Sequence, residues 1–103
     1  MNITIQTIGF TASEHLNTFL NKKMEKIFKH RSDIIRADVL LKKDTDSDPF
    51  NEWCEITVSK AGENQFVKKN AEKFEDAILT AVDAMDKILR RMKTKEIDAR
   101  SGH

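Results

Sequence analysis

Five cations occupy nine residues in the last part of the chain. The stretch from residue 87 to residue 95 has the sequence KILRRMKTK and contains no acidic residue. Its cations are Lys87, Arg90, Arg91, Lys93 and Lys95. On a helix, Lys87, Arg91 and Lys95 form an i, i+4, i+8 row. Such a row can bind the phosphate oxygens of a nucleic acid, although charge runs more often only solvate a helix face.

A second group of cations lies in the first third of the chain. Lys22, Lys26 and Lys29 are spaced i, i+4, i+7, and Lys23 lies at the margin of the neighbouring apolar stripe. This spacing places the three lysines along one side of a helix. Two basic rows on two adjacent helices could line one surface that attracts a phosphate backbone. The pattern therefore favours a nucleic-acid partner more strongly than either row by itself.

Charge is unevenly distributed in a chain whose formal net charge is only +1. Residues 11–31 contain five basic residues (Lys or Arg) and two acidic residues (Asp or Glu). Residues 32–59 contain three basic and seven acidic residues, and residues 60–103 contain ten basic and eight acidic residues. This asymmetry indicates a basic surface on one side and an acidic surface elsewhere.

The hydrophobic pattern predicts the elements that must position these cations. Alternation in NITIQTI predicts a half-buried strand over residues 2–8. A helix follows to about His30, with its N-cap either at Thr11, in a capping box with Glu14, or at Ser13. Its apolar residues recur at helical spacing and are Leu16, Phe19, Leu20, Met24 and Ile27.

Three further strands are predicted in the middle of the chain. Residues 34–43 alternate, and the predicted inward face consists of Ile35, Ala37, Val39 and Leu41. An acidic loop over residues 44–52 precedes the strand WCEITVS, whose inward face consists of Cys54, Ile56 and Val58. A hairpin turn at Gly62 leads to a fourth strand, QFVKKNA.

A long amphipathic helix is predicted over residues 73–95. Its apolar stripe comprises Phe74, Ile78, Ala81, Val82, Met85, Ile88, Leu89 and Met92, and Leu79 lies off this stripe. The element order β-α-β-β-β-α predicts an α+β fold, a four-stranded sheet with two helices packed on one face. Trp53, Thr57 and Arg36 are expected on the open face. Residues 1–96 are expected to form one domain, and residues 97–103 a flexible tail.

The sequence contains no clear pattern of catalytic residues. His15, His30 and His103 have no metal-ligand spacing with Cys54 or with one another, and the three glycines form no phosphate loop. Cys54, the only cysteine, is expected to be a small core residue. We therefore expect no catalytic residue, metal, cofactor or small-molecule substrate. With no membrane-spanning run and no secretory signal, a reducing cytoplasmic setting and no membrane partner are expected.

Two local patterns resemble the ribosome hibernation-promoting factor and ribosome-associated inhibitor family, over nearly the whole chain. FLNKKMEKIFK is similar to the family's first-helix pattern, with Lys23, Lys26 and Lys29 at its basic positions. AILTAVDAMDKILRRMKTK is similar to the second-helix pattern, with Lys87 and Arg90 at its cations and Met92 at its last leucine. The chain departs from the better-known members at residues 73–75, where those carry Asp-Met-Tyr, and at Thr94, where they carry a lysine.

The resemblance implies a short-form ribosome-binding protein with the β-α-β-β-β-α order. Members bind the small ribosomal subunit in the channel used by mRNA and tRNA, with two basic helices against ribosomal RNA (rRNA). They block translation and preserve idle ribosomes in stationary phase or starvation. The expected rRNA-binding residues are Lys22, Lys23, Lys26, Lys29, Lys87, Arg90, Arg91, Lys93 and Lys95.

Two alternatives use the same elements. A protein–protein module could self-associate through the open sheet face or an edge strand. A binder of free double-stranded RNA would share the element count. Salt sensitivity and binding to naked RNA distinguish these alternatives from a ribosome ligand. The sequence leaves the oligomeric state of the protein away from the ribosome open.

Overall fold

A computed structural model describes residues 1–29, 31–45 and 48–101, with side chains up to residue 93. The elements are β1 (Ile3–Ile8), α1 (Glu14–Lys29), β2 (Ile34–Lys43), β3 (Glu52–Lys60), β4 (Glu63–Ala71) and α2 (Phe74–Ser101). The predicted α+β class and element order are confirmed. The second helix was predicted to end near residue 95, but α2 continues to Ser101. The division into a domain over 1–96 and a flexible tail over 97–103 stays a prediction.

The four strands form one mixed sheet in the order β1-β2-β3-β4. β1 pairs with β2 in parallel, whereas the other two pairs are antiparallel. The register aligns Ile5 with Val39, Val39 with Ile56, and Ile56 with Val67. An apolar row therefore crosses all four strands on one face, and this face requires a covering layer.

Both helices supply that layer. Leu20, Met24 and Ile27 of α1 and Ile78 and Met85 of α2 are fully buried. They pack with the sheet in one hydrophobic cluster. Burial of such side chains is the main favourable contribution to folding in a domain of this size.

Cys54 lies in this cluster, as the sequence predicts. Its thiol is fully buried, and loss of hydration raises its pKa to about 12. The thiol is therefore protonated and packs as a small apolar group rather than acting as a nucleophile.

The predicted inward position of Ile35 is wrong. Ala37, Val39 and Leu41 are buried as expected, but Ile35 is 57 % exposed and Ile34 packs against the core instead. The register between β2 and β3 shifts between Ile34 and Arg36. Because alternation has a period of two, this irregularity moves the start of the strand to the opposite face.

Contacts outside the helices fix where each helix begins. Ser13 Oγ accepts a hydrogen bond of 3.0 Å from Leu16 N, so Ser13, and not Thr11, caps α1. Phe74 N donates to Glu52 Oε1 over 2.8 Å, so a carboxylate from β3 caps α2. The Phe10 and Phe74 rings stack with centroids 4.3 Å apart. Both helix starts are therefore held at one end of the sheet.

No helix in the described part of the chain has an apolar stretch long enough to cross a bilayer.

Candidate nucleic-acid interface

The two helices lie side by side on the same sheet face and run in the same direction. Lys26 in α1 contacts Asp83 and Asp86 in α2, and Arg31 just beyond α1 contacts Leu89 further along α2. The two basic rows predicted from the sequence therefore lie on adjacent helices. Their exposed sides face away from the sheet, because the opposite sides are buried against it.

Three of the predicted cations meet at two shared carboxylates. Lys26 Nζ lies 3.7 Å from Asp83 Oδ1 and 3.9 Å from Asp86 Oδ2. Lys87 Nζ lies 3.3 Å from Asp83 Oδ2, and Arg90 forms an ion pair with Asp86 Oδ2. Three positive and two negative charges therefore form one cluster that joins both helices. We call these five residues the inter-helix ion cluster.

The two carboxylates of the cluster differ in exposure. The Asp86 side chain is 2 % exposed, whereas that of Asp83 is 54 % exposed. Burial of a carboxylate without a partner is costly, and Asp86 forms ion pairs with both Arg90 and Lys26. The hydrogen bond from Lys87 lowers the pKa of Asp83, and the positive charges of Lys87 and Lys26 act in the same direction. Asp83 is therefore ionised at neutral pH.

Four of the predicted cations lie outside this cluster. Within the part of the chain that the structure describes, no ion pair forms at Lys22, Lys23, Lys29 or Lys93. Lys23 Nζ lies 5.4 Å from the centre of the Phe19 ring. This cation–π contact restrains the ammonium group of Lys23 beside the groove between the two helices. Lys22 lies on the outer flank of α1, near Glu25. Unpaired exposed cations of this kind are available to an external anion.

Arg91 departs from the shared surface. It lines a groove with Glu63 and Gln65 of β4, together with Ile88 and Met92. Arg91 therefore lies on the flank of α2 that faces away from α1, and the predicted row of Lys87, Arg91 and Lys95 does not follow one side of the helix pair. The side chain of Lys95 lies outside the described residues, as does all of His30.

Three residues that organise this surface were not predicted from the sequence. Asp83 and Asp86 precede Lys87 and Arg90 by four residues, so the i, i+4 rule could have identified both pairs. Arg31 is buried and donates from Nη1 to Leu89 O over 3.1 Å. No local pattern predicts that contact, because it joins residues far apart in the chain.

The open face of the sheet has a different character. Trp53 Nε1 donates to Asp44 Oδ2 over 2.9 Å, and Lys68 Nζ lies 4.8 Å from the centre of the Trp53 ring. Arg36 pairs with Asp38 across 3.2 Å. Cations on this face therefore have partners within the fold, and Trp53 anchors the start of the acidic loop.

The described residues contain no group of three or more His, Cys, Asp or Glu side chains placed to hold a metal ion. The inter-helix ion cluster presents ammonium and guanidinium groups, which are the side-chain groups that bind anions.

A family model described as sigma 54 modulation protein / S30EA ribosomal protein matches residues 3–97. The chain belongs to this family. Membership confirms the resemblance to the hibernation-promoting factors and places the protein among ribosome-associated regulators of translation. Members of the sigma 54 modulation protein / S30EA family bind ribosomes and are not enzymes, which confirms the expectation that this chain is not an enzyme.

Two solved structures have the same fold as this member of the sigma 54 modulation protein / S30EA family. The N-terminal domain of Protein Y from Thermus thermophilus superimposes with a TM-score of 0.76 at 20% identity, covering 89% of this chain and 99% of that one. A ribosomal subunit interface protein from Coxiella burnetii superimposes with a TM-score of 0.81 at 15% identity, covering 91% and 99%. A comparison with curated proteins found no significant match.

Proposed function

We propose that this protein binds the small ribosomal subunit with the exposed side of α1 and α2 against rRNA. In this position it would occupy the channel used by mRNA and tRNA and block translation in stationary phase or starvation. Family membership supports ribosome association. The observation that carries the proposed surface is the sharing of Asp83 and Asp86 by cations from two helices.

The proposed mechanism is occlusion by a pre-formed array of cations. Folded RNA is recognised mainly by its shape and backbone, and Lys and Arg contacts to phosphates fix position rather than sequence. The inter-helix ion cluster restrains Lys26, Lys87 and Arg90 before RNA arrives, which reduces the entropy lost on binding. The neighbouring unpaired lysines then add phosphate contacts. The proposed rRNA-binding residues remain the nine cations named above, with Arg91 contacting RNA from the flank.

The charge distribution supports a specific rather than a general RNA ligand. The net charge is only +1, so the chain lacks the long-range attraction of a uniformly basic protein. The acidic loop starts at Asp44, which is tied to Trp53 on the sheet face opposite the helices. RNA phosphates would be repelled from that side, and one orientation would be favoured. A cytoplasmic location follows from the proposed partner.

Charge reversal on the two faces tests the proposal. The variant K23E/K29E/K87E leaves Lys26 and Arg90 paired with buried Asp86 and should lose cosedimentation with purified small subunits. The matched variant R36E/K42E/K68E changes the net charge equally on the open sheet face and should retain it, because that face is not proposed to contact RNA. If both variants lose cosedimentation equally, binding depends only on general electrostatic attraction. If the variant with substitutions on α1 and α2 still binds, the proposed surface is wrong.

Self-association through the open sheet face is a second candidate function. Phe66 is 56 % exposed on that face, and Ile8 is 43 % exposed. Sedimentation of the isolated protein tests this candidate, since an apolar dimer should persist at high salt whereas ribosome binding should not. Tight binding to naked duplex RNA would instead favour the double-stranded-RNA alternative.

A further inference from the structure

We propose that the groove between α1 and α2 holds one unstacked RNA base, with the flanking phosphates on the surrounding cations. The groove has a volume of about 450 Å³. The residues that line it are Lys23, Lys26, Leu79, Thr80, Val82 and Asp83. This inference rests on the proposed function and adds a base-recognition site to a surface otherwise described by phosphate contacts.

Leu79 is the first observation. It lies off the apolar stripe of α2 and is 43 % exposed, so the hydrophobic core does not account for it. With Val82 it gives the groove an apolar surface in the middle of a charged face. An apolar surface does not stabilise a bound phosphate, whereas a base that packs on it removes its flat apolar face from water, which is favourable.

Asp83 is the second observation. Its carboxylate is half-exposed and lies in the groove among cations, where it would repel a phosphate. A carboxylate instead accepts hydrogen bonds from the amino or imino groups of a base edge. The lysine ammonium groups that line the same groove can only donate, so the walls offer both an acceptor and donors.

The charge arrangement matches one nucleotide of a folded RNA chain. Lys23 and Lys26 lie along the groove from the α1 side, and Lys87 holds Asp83 from the other side. A base between the helices would therefore have cations near the phosphates on either side of it. Adenine and cytosine offer Asp83 an amino N–H, uracil offers an imino N–H, and guanine offers both, so the carboxylate can accept from any of the four bases.

One variant has effects of opposite sign under the two explanations. Leu79→Lys adds a cation, so it should strengthen a surface that binds only phosphates. If the groove holds a base, Leu79→Lys should weaken binding to purified small subunits by about fivefold or more, because the apolar surface for the base is lost. Leu79 is exposed, and Leu and Lys have similar helix propensity, so folding should be preserved. Glu25→Gln removes one carboxylate from α1 outside the groove and should bind slightly more tightly in either case.

Chemical probing of the bound subunit supplies an independent readout. The wild-type protein should protect one base from reagents that modify the Watson–Crick edge, and Asp83→Asn should restore modification while backbone protection remains. Tighter binding by Leu79→Lys, or the absence of a protected base in the wild-type complex, would overturn the base site. The proposed function would then still stand if K23E/K29E/K87E abolishes binding. A wild-type protein that binds no subunit would overturn both.

Discussion

Arg31 Nη1 donates a hydrogen bond of 3.1 Å to the main-chain oxygen of Leu89, which ties the end of α1 to the basic half of α2. The same guanidinium donates from Nε to Asp33 Oδ1 over 2.8 Å and from Nη2 to Asp33 Oδ2 over 2.7 Å. Lys60 Nζ lies 3.6 Å from the same carboxylate. A buried arginine thus joins the segment just beyond α1 to α2, next to Arg90 in the chain.

Replacement of Arg31 should destabilise the fold. Arg31→Met keeps the apolar stem but removes hydrogen bonds to a carboxylate and a buried carbonyl, so we expect the free energy of unfolding to fall by about 2 kcal/mol. Urea denaturation measures this change. Arg36→Met removes an exposed ion pair of β2 and should change stability by less than about 0.5 kcal/mol. Equal effects in the two variants would contradict the structural role of Arg31.

The Arg31–Asp33 pair should make stability depend on pH in the acid range. The hydrogen bond from Arg31 is the main cause that lowers the pKa of Asp33 from 3.8 to about 2. Because the folded-state pKa lies below the unfolded-state value, the pair contributes stability above pH 3.8, and this contribution disappears as pH falls through about 2. The Asp33 side chain is 48% exposed, so after solvent screening we expect a contribution of about 1 kcal/mol.

Comparison of the wild type with Asp33→Asn measures that contribution. The wild type should be the more stable protein at pH 6, and the difference should shrink steadily between pH 4 and pH 2 in urea titrations. A difference that stays constant down to pH 2 would show that the charge of Asp33 is not responsible.

Two glycines in the described part of the chain have a positive φ and provide a matched pair of substitutions. Gly9 has a φ of 84°, and a Cβ there would lie 2.4 Å from Lys43 O. Gly62, in the turn between β3 and β4, has a φ of 88° with no atom within 4 Å of the added Cβ. Gly62→Ala should therefore cost only the backbone strain of about 1 kcal/mol, and Gly9→Ala should cost clearly more.

Thermal or urea unfolding of the two glycine variants checks this ranking. If Gly9→Ala is no more destabilising than Gly62→Ala, the close approach of the β1–α1 connection to the end of β2 is not maintained in solution.

The fold could be predicted from sequence because its signals are local and periodic. Strand alternation and the stripe of α2 identified the element order. The spacing of Lys22, Lys26 and Lys29 predicts a basic side of α1, but Lys22 lies on the outer flank and Lys26 lines the groove between the helices. Ile35 was misplaced because a register shift between strands leaves no trace in the period of a single strand.

The detail of the site could not be predicted for a similar reason. The sequence indicates which cations share a helix, but which helix flank faces the neighbouring helix depends on tertiary packing. Arg91 therefore appeared equivalent to Lys87, although it lies toward β4. The pairing of Lys26 with Asp83 and Asp86, and that of Arg31 with Leu89, joins residues more than fifty positions apart in the chain.

The salt dependence of binding to purified small subunits tests the central claim most directly. If cations of both helices contact phosphates, affinity should fall by about a hundredfold or more between about 50 mM and about 200 mM salt. Lys26→Gln and Lys87→Gln should each reduce the slope of log affinity against log salt by about one, while Lys68→Gln on the open face should leave it unchanged. Binding that is insensitive to salt, or equal slopes in all three variants, would contradict the proposed interface of α1 and α2.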